Sequence, residues 1–349
     1  MWHHGLIAKL NSMGVRCHLL LLLQDNLRGR YLRVVVNGHS SNEHPISASV
    51  PQGSVLGPLL WNAFFNDLLH LIPEAHAFAD NCTLTFPCDN DEPRKTIAHI
   101  NQVLQTTVSW DRRWQVDLAS EKTQVLLVSR RHRTLDTPIP AILLDGRPLS
   151  LLTSISILGV EVNGTLSFTG HVKTIARRAA GKLTCIRRVS HLLDSQGITA
   201  LYAAQVRSLM EYATLTWSCC PPSYLGLLNK VQNRVQCLIR LKAPPDQPPP
   251  SMQPLQQRRD VAGLYVLYKT QKQCAPHLDA LRLPWAQPHG HTTRAAITRN
   301  FQLIIPFAKT ETFLRSFFPR YTRIWNKLLQ QTQDHCTNSL NTFKSAVND

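Results

Sequence analysis

Pro51-Gln52-Gly53-Ser54-Val55-Leu56-Gly57-Pro58-Leu59-Leu60-Trp61-Asn62, followed a helix length later by Ala77-Phe78-Ala79-Asp80-Asn81, is the stretch on which the reading of this chain turns. Pro58 suits the first turn of a helix, because its fixed φ is already helical and its missing N–H is one that a helix start leaves unpaired. Leu60, Phe64, Leu68 and Leu71 recur at helical spacing until Pro73 stops the run. The spacing predicts a helix over 58–72, buried along one face. Ala75 to Ala79 and Cys82 to Phe86 then read as two short strands. Between them, Asp80 and Asn81 are residue types that tolerate the positive φ of a two-residue hairpin turn, so they are expected at its tip.

Upstream, Trp2 to Leu27 reads as two helical pieces broken at Gly14, with Leu6, Leu10 and Met13 on the apolar face of the first. The run Leu19 to Leu23 is too short to cross a bilayer and is expected to face a core. Tyr31 to Asn37 alternates like a strand, 38–42 carries turn residues, and Ile46 to Val50 reads as the return strand.

Downstream, Asp91 to Trp110 is an amphipathic helical pattern carrying Ile97, Ile100, Leu104 and Val108, and Gln124 to Val128 and Ser156 to Val162 are strand-like. Three more helical patterns follow, at 171–193, 196–217 and 224–241. On the first, Val172, Ile175, Ala179, Leu183 and Ile186 form an apolar stripe, while Lys173, Arg177, Arg178, Lys182, Arg187 and Arg188 lie largely off it. Alternating acidic residues are missing from that basic face, which favours phosphate contact over a merely solvated surface. Ala243 to Pro254 is a proline-rich spacer, and helical patterns return at 261–270, at 313–329 and near the C-terminus, where Trp325 reads as a packing residue.

Composition narrows the partner class. Lys and Arg total 38 against 22 acidic residues, a formal charge of +16 spread along the chain, which implies a polyanionic partner. Nine cysteines show no CxxC pair and no secretory framework, so a reducing, intracellular setting is expected, the nucleus included. Cys274, His277, His289 and His291 lack the paired spacing of a zinc module and read as unrelated side chains.

The order of these segments resembles the reverse transcriptase of non-LTR retrotransposons of the jockey and CR1 kind. Residues 51–70 resemble that family's motif B, Phe78-Ala79-Asp80-Asn81 its motif C, and Val116 to Thr123 its motif D. Leu158-Gly159-Val160 with Leu166-Ser167-Phe168 resembles its primer-grip hairpin, with Asn163 where an acidic residue is usual. The resemblance implies an α+β fold: a partial polymerase palm over 1–168, an antiparallel sheet backed by helices, then a helical thumb over 169–242. A linker over 243–254 and a helical segment over 255–349 complete the expected organisation. Because Met1 falls where motif A would be finishing, truncation at the N-terminus is expected, with motif A and the fingers missing.

In such an enzyme two divalent metals lower the barrier to nucleotidyl transfer, and carboxylates offset their charge. The resemblance implies Mg2+ as cofactor, Asp80 as a metal-binding catalytic aspartate, and Lys122 as the group that assists the leaving pyrophosphate. It places Gln52 and Gly53 against template and nucleotide. Lys173, Arg177, Arg178, Lys182, Arg187 and Arg188 would meet the nucleic-acid backbone, the partners being an RNA template and an RNA·DNA duplex, with no membrane. Asn81 stands at the position of the second motif C aspartate and offers a carbonyl oxygen without charge. If the loss of one carboxylate costs about 4 kcal/mol in the transition state, the rate falls about a thousandfold. Two readings therefore stand: a polymerase fragment with catalysis disabled, and a nucleic-acid-binding protein derived from that polymerase. Four motifs in the family's order argue against a chance likeness.

Overall fold

The computed structural model describes residues 1–50, 53–88, 92–129, 140–244, 248, 252–273, 276–286, 302–331 and 343, and the chain divides into two units, 1–158 and 159–349. Pro51, Gln52, Cys274, His289, His291 and the expected C-terminal helix beyond 331 lie outside the described residues, apart from Phe343.

In the first unit, α1 (His3–Ser12) and α2 (Cys17–Leu27) are separated at Gly14, whose φ of +90° ends the first helix. Leu6 and Leu10 are buried, but Met13 is exposed. The leucine run faces solvent more than expected: Leu23 and Leu27, one turn apart, are buried, whereas Leu19, Leu21 and Leu22 are more than half exposed. An eleven-residue helix packed along one stripe has other faces that stay in water, whatever its residues.

Four two-residue strands follow: β1 (Tyr31–Leu32), β2 (Val35–Val36), β3 (His39–Ser40) and β4 (His44–Pro45). β2 pairs with β3 and β1 with β4, both antiparallel, around the two-residue turn Asn37-Gly38, both at positive φ. The return strand is thus His44–Pro45 and not 46–50. The latter segment turns to the N-terminus instead: His3 N–H donates to Ser47 O at 3.1 Å and Ser49 N–H to Met1 O at 2.7 Å.

Helix α3 (Leu56–Leu71) begins two residues before Pro58, which sits in its first turn. Leu60, Phe64, Phe65 and Leu68 are buried; Leu71 is exposed, and Ile72 takes its place in the core. After α3 come β5 (Ala75–Phe78) and β6 (Asn81–Leu84), an antiparallel pair, then α4 (Pro93–Trp114). Ile97, Leu104 and Val108 are buried along α4 as the periodicity predicted. α1, α3 and α4 share a core of Leu6, Leu10, Phe64, Phe65, Leu68 and Trp110. Gly5 permits the close approach of α1, since a Cβ there would lie 2.8 Å from Trp2 and 3.1 Å from Trp114.

β7 (Val125–Leu126) pairs in parallel with β10 (Leu151–Leu152), β8 (Leu143–Leu144) pairs antiparallel with β9 (Arg147–Pro148), and β11 (Ser154–Ile157) ends the unit. Among the described residues these strands form separate small ribbons, one of them parallel, where a single antiparallel sheet was expected. Ribbons this short cannot stand alone and depend on the helices beside them.

The second unit opens with β12 (Val160–Asn163), and among its described residues the longer elements that follow are helices. α5 (Thr169–Val189) packs on α9 (Pro222–Lys242). The helix expected over 196–217 is instead α6 (Ser195–Leu201), a π-helical stretch over 202–207, α7 (Ser208–Glu211) and, after a break at Tyr212-Ala213, α8 (Thr214–Trp217). Ala213 has a φ of +49°, which a continuing helix cannot absorb. Val172, Ile175, Ala179, Leu183 and Ile186 join Ile198, Tyr202, Trp217 and Leu228 in one core. α10 (Leu255–Lys272) and α12 (Phe317–Gln331), the latter preceded by the short α11 (Glu311–Leu314), build a second core, where Trp325 is buried with Leu264, Leu267 and Tyr321. Gly263 lets α12 approach, for a Cβ there would fall 2.1 Å from the Tyr321 ring. No described helix is long and apolar enough to cross a membrane.

Candidate functional site

The turn that carries Asp80 is held by α3. Phe78 pairs with Asn81, so the two turn residues are Ala79 and Asp80, with Ala79 at a φ of +53°. This shifts the expected tip by one residue: Asn81 is the first residue of β6 and not part of the turn. Register outweighs turn preference here, because pairing Ala75 to Phe78 with Asn81 to Leu84 fixes four cross-strand partners, whereas an asparagine at the tip would satisfy only a local preference. Asp80 is exposed and accepts a hydrogen bond from Asn81 Nδ2 at 3.2 Å.

The turn's anchor is Trp61. Its indole N–H donates to the carbonyl oxygen of Ala79 at 2.6 Å, and its ring stacks on Phe65 with centroids 5.5 Å apart. Sequence reading passed over Trp61, although its spacing from Phe64 and Phe65, three and four residues on, placed all three on one helical face.

A second unforeseen feature braces α3 from behind. Lys9 of α1 is only 4% exposed, and its ammonium donates to Phe64 O at 2.6 Å and to Asp67 Oδ1 at 2.7 Å. The same group lies over the rings of Trp114, Phe64 and Trp110, 4.0, 4.3 and 4.6 Å from their centroids. Trp110 Nε1 also donates to Asp67 Oδ1, at 3.0 Å. Burial pulls the Lys9 pKa down, and Asp67 pulls it back up. Asp67 is thereby committed to holding three helices together.

Gly53 is exposed, at a φ of +82°, and no atom lies within 4 Å of where a Cβ would stand, so the backbone there is open to a close neighbour. Lys122 is exposed at the end of a short 3-10 turn, Ser120–Lys122, and no described hydrogen bond or ion pair joins it to Asp80. In the second unit, Asn163 Oδ1 accepts from the Ser167 N–H at 2.9 Å while its Nδ2 donates to Ser167 Oγ at 2.8 Å, which stabilises the turn into α5.

Lys173, Arg177, Arg178, Lys182, Arg187 and Arg188 are all exposed on α5, and among the described residues no ion pair involves any of them. Lys173 lies over the Tyr224 ring at 5.1 Å. This is an array of cations that no described ion pair neutralises, suited to phosphates.

A two-metal centre needs several anionic oxygens at one place. The turn supplies one carboxylate beside a neutral amide, and among the described residues no three His, Cys, Asp or Glu side chains converge on a metal position. The residues described here do not fit such a centre.

Residues 1–162 match the family model described as reverse transcriptase (RNA-dependent DNA polymerase). Over 251 residues the chain is 27% identical to a Drosophila melanogaster protein described as probable RNA-directed DNA polymerase from transposon X-element, covering 68% of this chain and 26% of that protein. It is 27% identical over 253 residues to the corresponding protein from transposon BS of the same organism, covering 68% of this chain and 27% of that protein. With the RNA-directed DNA polymerase from mobile element jockey, also of Drosophila melanogaster, it shares 26% identity over 200 residues, 55% of this chain and 21% of that protein. The chain thus spans about a quarter of the length of the curated relatives it matches. No solved structure matches it.

Proposed function

Because residues 1–162 are a reverse transcriptase domain of the kind found in non-LTR retrotransposons, we propose that this chain is the palm and thumb portion of such a polymerase, retaining nucleic-acid binding with its nucleotidyl transfer disabled. In this reading residues 1–168 are palm, 169–242 thumb and 255–349 a helical extension. The partners are an RNA template and the RNA·DNA duplex.

The observation that carries the proposal is the pair Asp80 and Asn81. The hairpin is intact and anchored, yet the neighbour of its one carboxylate is an amide that donates a hydrogen bond to that carboxylate. Asn81 brings no negative charge to offset a divalent cation, and its NH2 group competes for the oxygen that would bind one. Binding is a separate matter: the cations of α5 need only phosphates. Gln52 and Gly53 face template or nucleotide in this reading, and Lys122 faces the pyrophosphate.

Primer extension on an RNA template with Mg2+ tests the catalytic half, with Asp80→Ala as control. Neither protein is expected to extend the primer; extension that disappears in Asp80→Ala overturns the disabled reading. Affinity for an RNA·DNA duplex between 50 and 200 mM salt tests the binding half. Phosphate contacts make it fall about tenfold or more across that range; an affinity indifferent to salt would rule out α5 as a phosphate-binding face.

A further inference from the structure

The six cations of α5 do not form one face. At about 100° per residue, Lys173, Arg177, Arg187 and Arg188 fall within one arc of about 100°. Arg178 and Lys182, one turn apart, lie roughly 140° to 180° round from Lys173. These two border a groove of about 750 Å³ between α5 and the segment 204–212, within the size range of ligand clefts.

The opposite wall of the groove is mixed, Gln205 and Ser208 alternating with Ala204 and Leu209, and Tyr212 is part of the lining. Tyr212 is 54% exposed because the helix breaks there: α7 ends at Glu211, and the positive φ of Ala213 redirects the chain. Its carbonyl is fixed by the Trp217 indole N–H at 3.1 Å, so the ring stands on a braced backbone. On the α5 side, Gly181 has no atom within 4 Å of where a Cβ would lie, which leaves space beside the helix for a flat group. No Asp or Glu lines the groove, and the neighbouring Glu211 is engaged by Arg258, whose Nη2 lies 3.0 Å from its Oε2.

Two cations on one wall, an aromatic ring and apolar side chains in the lining, and no acid among the lining residues match the chemistry of an unpaired strand, in which phosphates alternate with bases that have exposed faces. A duplex cannot use Tyr212 this way, since its bases are already stacked. We infer that this groove binds single-stranded RNA, its phosphates on Arg178 and Lys182 and a base on Tyr212, as a track separate from the outer cations that take duplex. The inference rests on the nucleic-acid reading above.

Fluorescence anisotropy of the full chain with a labelled 12-nucleotide oligo(U) and a 12-base-pair RNA·DNA duplex tests it. Tyr212→Ala is expected to weaken oligo(U) binding about tenfold, with recovery in Tyr212→Trp, and to change duplex binding less than about twofold. The double variant Arg178→Gln, Lys182→Gln should behave like Tyr212→Ala, and Arg177→Gln, Arg187→Gln should weaken the duplex instead. Cys185 lines the same groove, so oligo(U) should slow its alkylation relative to the exposed Cys237. This readout needs no substitution that could disturb folding. Equal losses for strand and duplex, a Tyr212→Trp as weak as Tyr212→Ala, or an unprotected Cys185 would each overturn the inference. If the wild type holds both probes and the groove variants are silent, only this inference falls; if it holds neither, the nucleic-acid reading falls with it.

Discussion

The indole N–H of Trp61 donates to the carbonyl oxygen of Ala79 at 2.6 Å, which ties α3 to the turn that presents Asp80. The carbonyl lies in an exposed turn, so the bond's net worth is modest, about 1 kcal/mol. Its effect is chiefly on position. Trp61→Phe keeps the stack on Phe65 and removes the donor. The expected result is a small loss of global stability with faster amide hydrogen exchange confined to 79–82; uniform acceleration across the first unit would show that Trp61 acts as core and not as an anchor.

The one-residue shift of the hairpin tip is open to a direct check. Ala79 is at positive φ, where an alanine is strained and a glycine is not. Ala79→Gly should raise stability by about 0.5 kcal/mol, whereas Asn81→Gly, inside β6, should lower it by about 0.5–1 kcal/mol. Urea midpoints measure both. The reverse order would place the tip at Asp80-Asn81 after all.

Lys9 and Asp67 form a pair in which the lysine is buried and caged by three aromatic rings. Removing only the carboxylate leaves a buried charge without its counterion. Asp67→Ala is therefore expected to cost about 3 kcal/mol, and adding Lys9→Met to it should recover part of that loss. Chemical denaturation of the two variants measures the difference; a double variant less stable than Asp67→Ala would mean that the ammonium contributes favourably even without Asp67.

His171 gives the second unit a pH dependence. Its Nδ1 accepts the Glu161 N–H at 3.2 Å, and its Nε2 is buried without a hydrogen-bond partner. Burial holds its pKa below the ordinary histidine value of 6.5. As pH falls below 6.5 the unfolded chain takes up the proton first, so stability is intact above that pH and declines as pH drops toward the lowered folded pKa. The urea midpoint should fall between pH 7.5 and 5.5, and fall less in His171→Leu. Equal pH responses in the two proteins would assign the effect to other groups.

Much of the helical framework was legible in the residues. Leu60, Phe64 and Leu68 fall on the buried face of α3, and Ile97, Leu104 and Val108 on that of α4, because a period of 3.6 residues and one wetted side leave few other solutions. Gly14 likewise marked a real break. The likeness of residues 51–70 and 77–81 to polymerase motifs pointed to the family that residues 1–162 match.

What local pattern could not decide were the matters that depend on which partner arrives. Two adjacent residues could each have begun the turn before Asn81, and only strand pairing chose Ala79. Ile46 to Val50 had the composition of a return strand, but the first residues of the chain claimed part of its backbone. Nothing in the sequence singled out Lys9, around which three aromatic rings close, and while helical spacing alone sets Arg178 and Lys182 apart from Lys173 and Arg177, only the segment 204–212 gives them a facing wall. Periodicity is a property of neighbours in sequence, so the sequence by itself determined the helices and their buried stripes. Burial of a charge, the register of a ribbon and the walls of a groove are set by residues distant in sequence, and these only the tertiary structure decided.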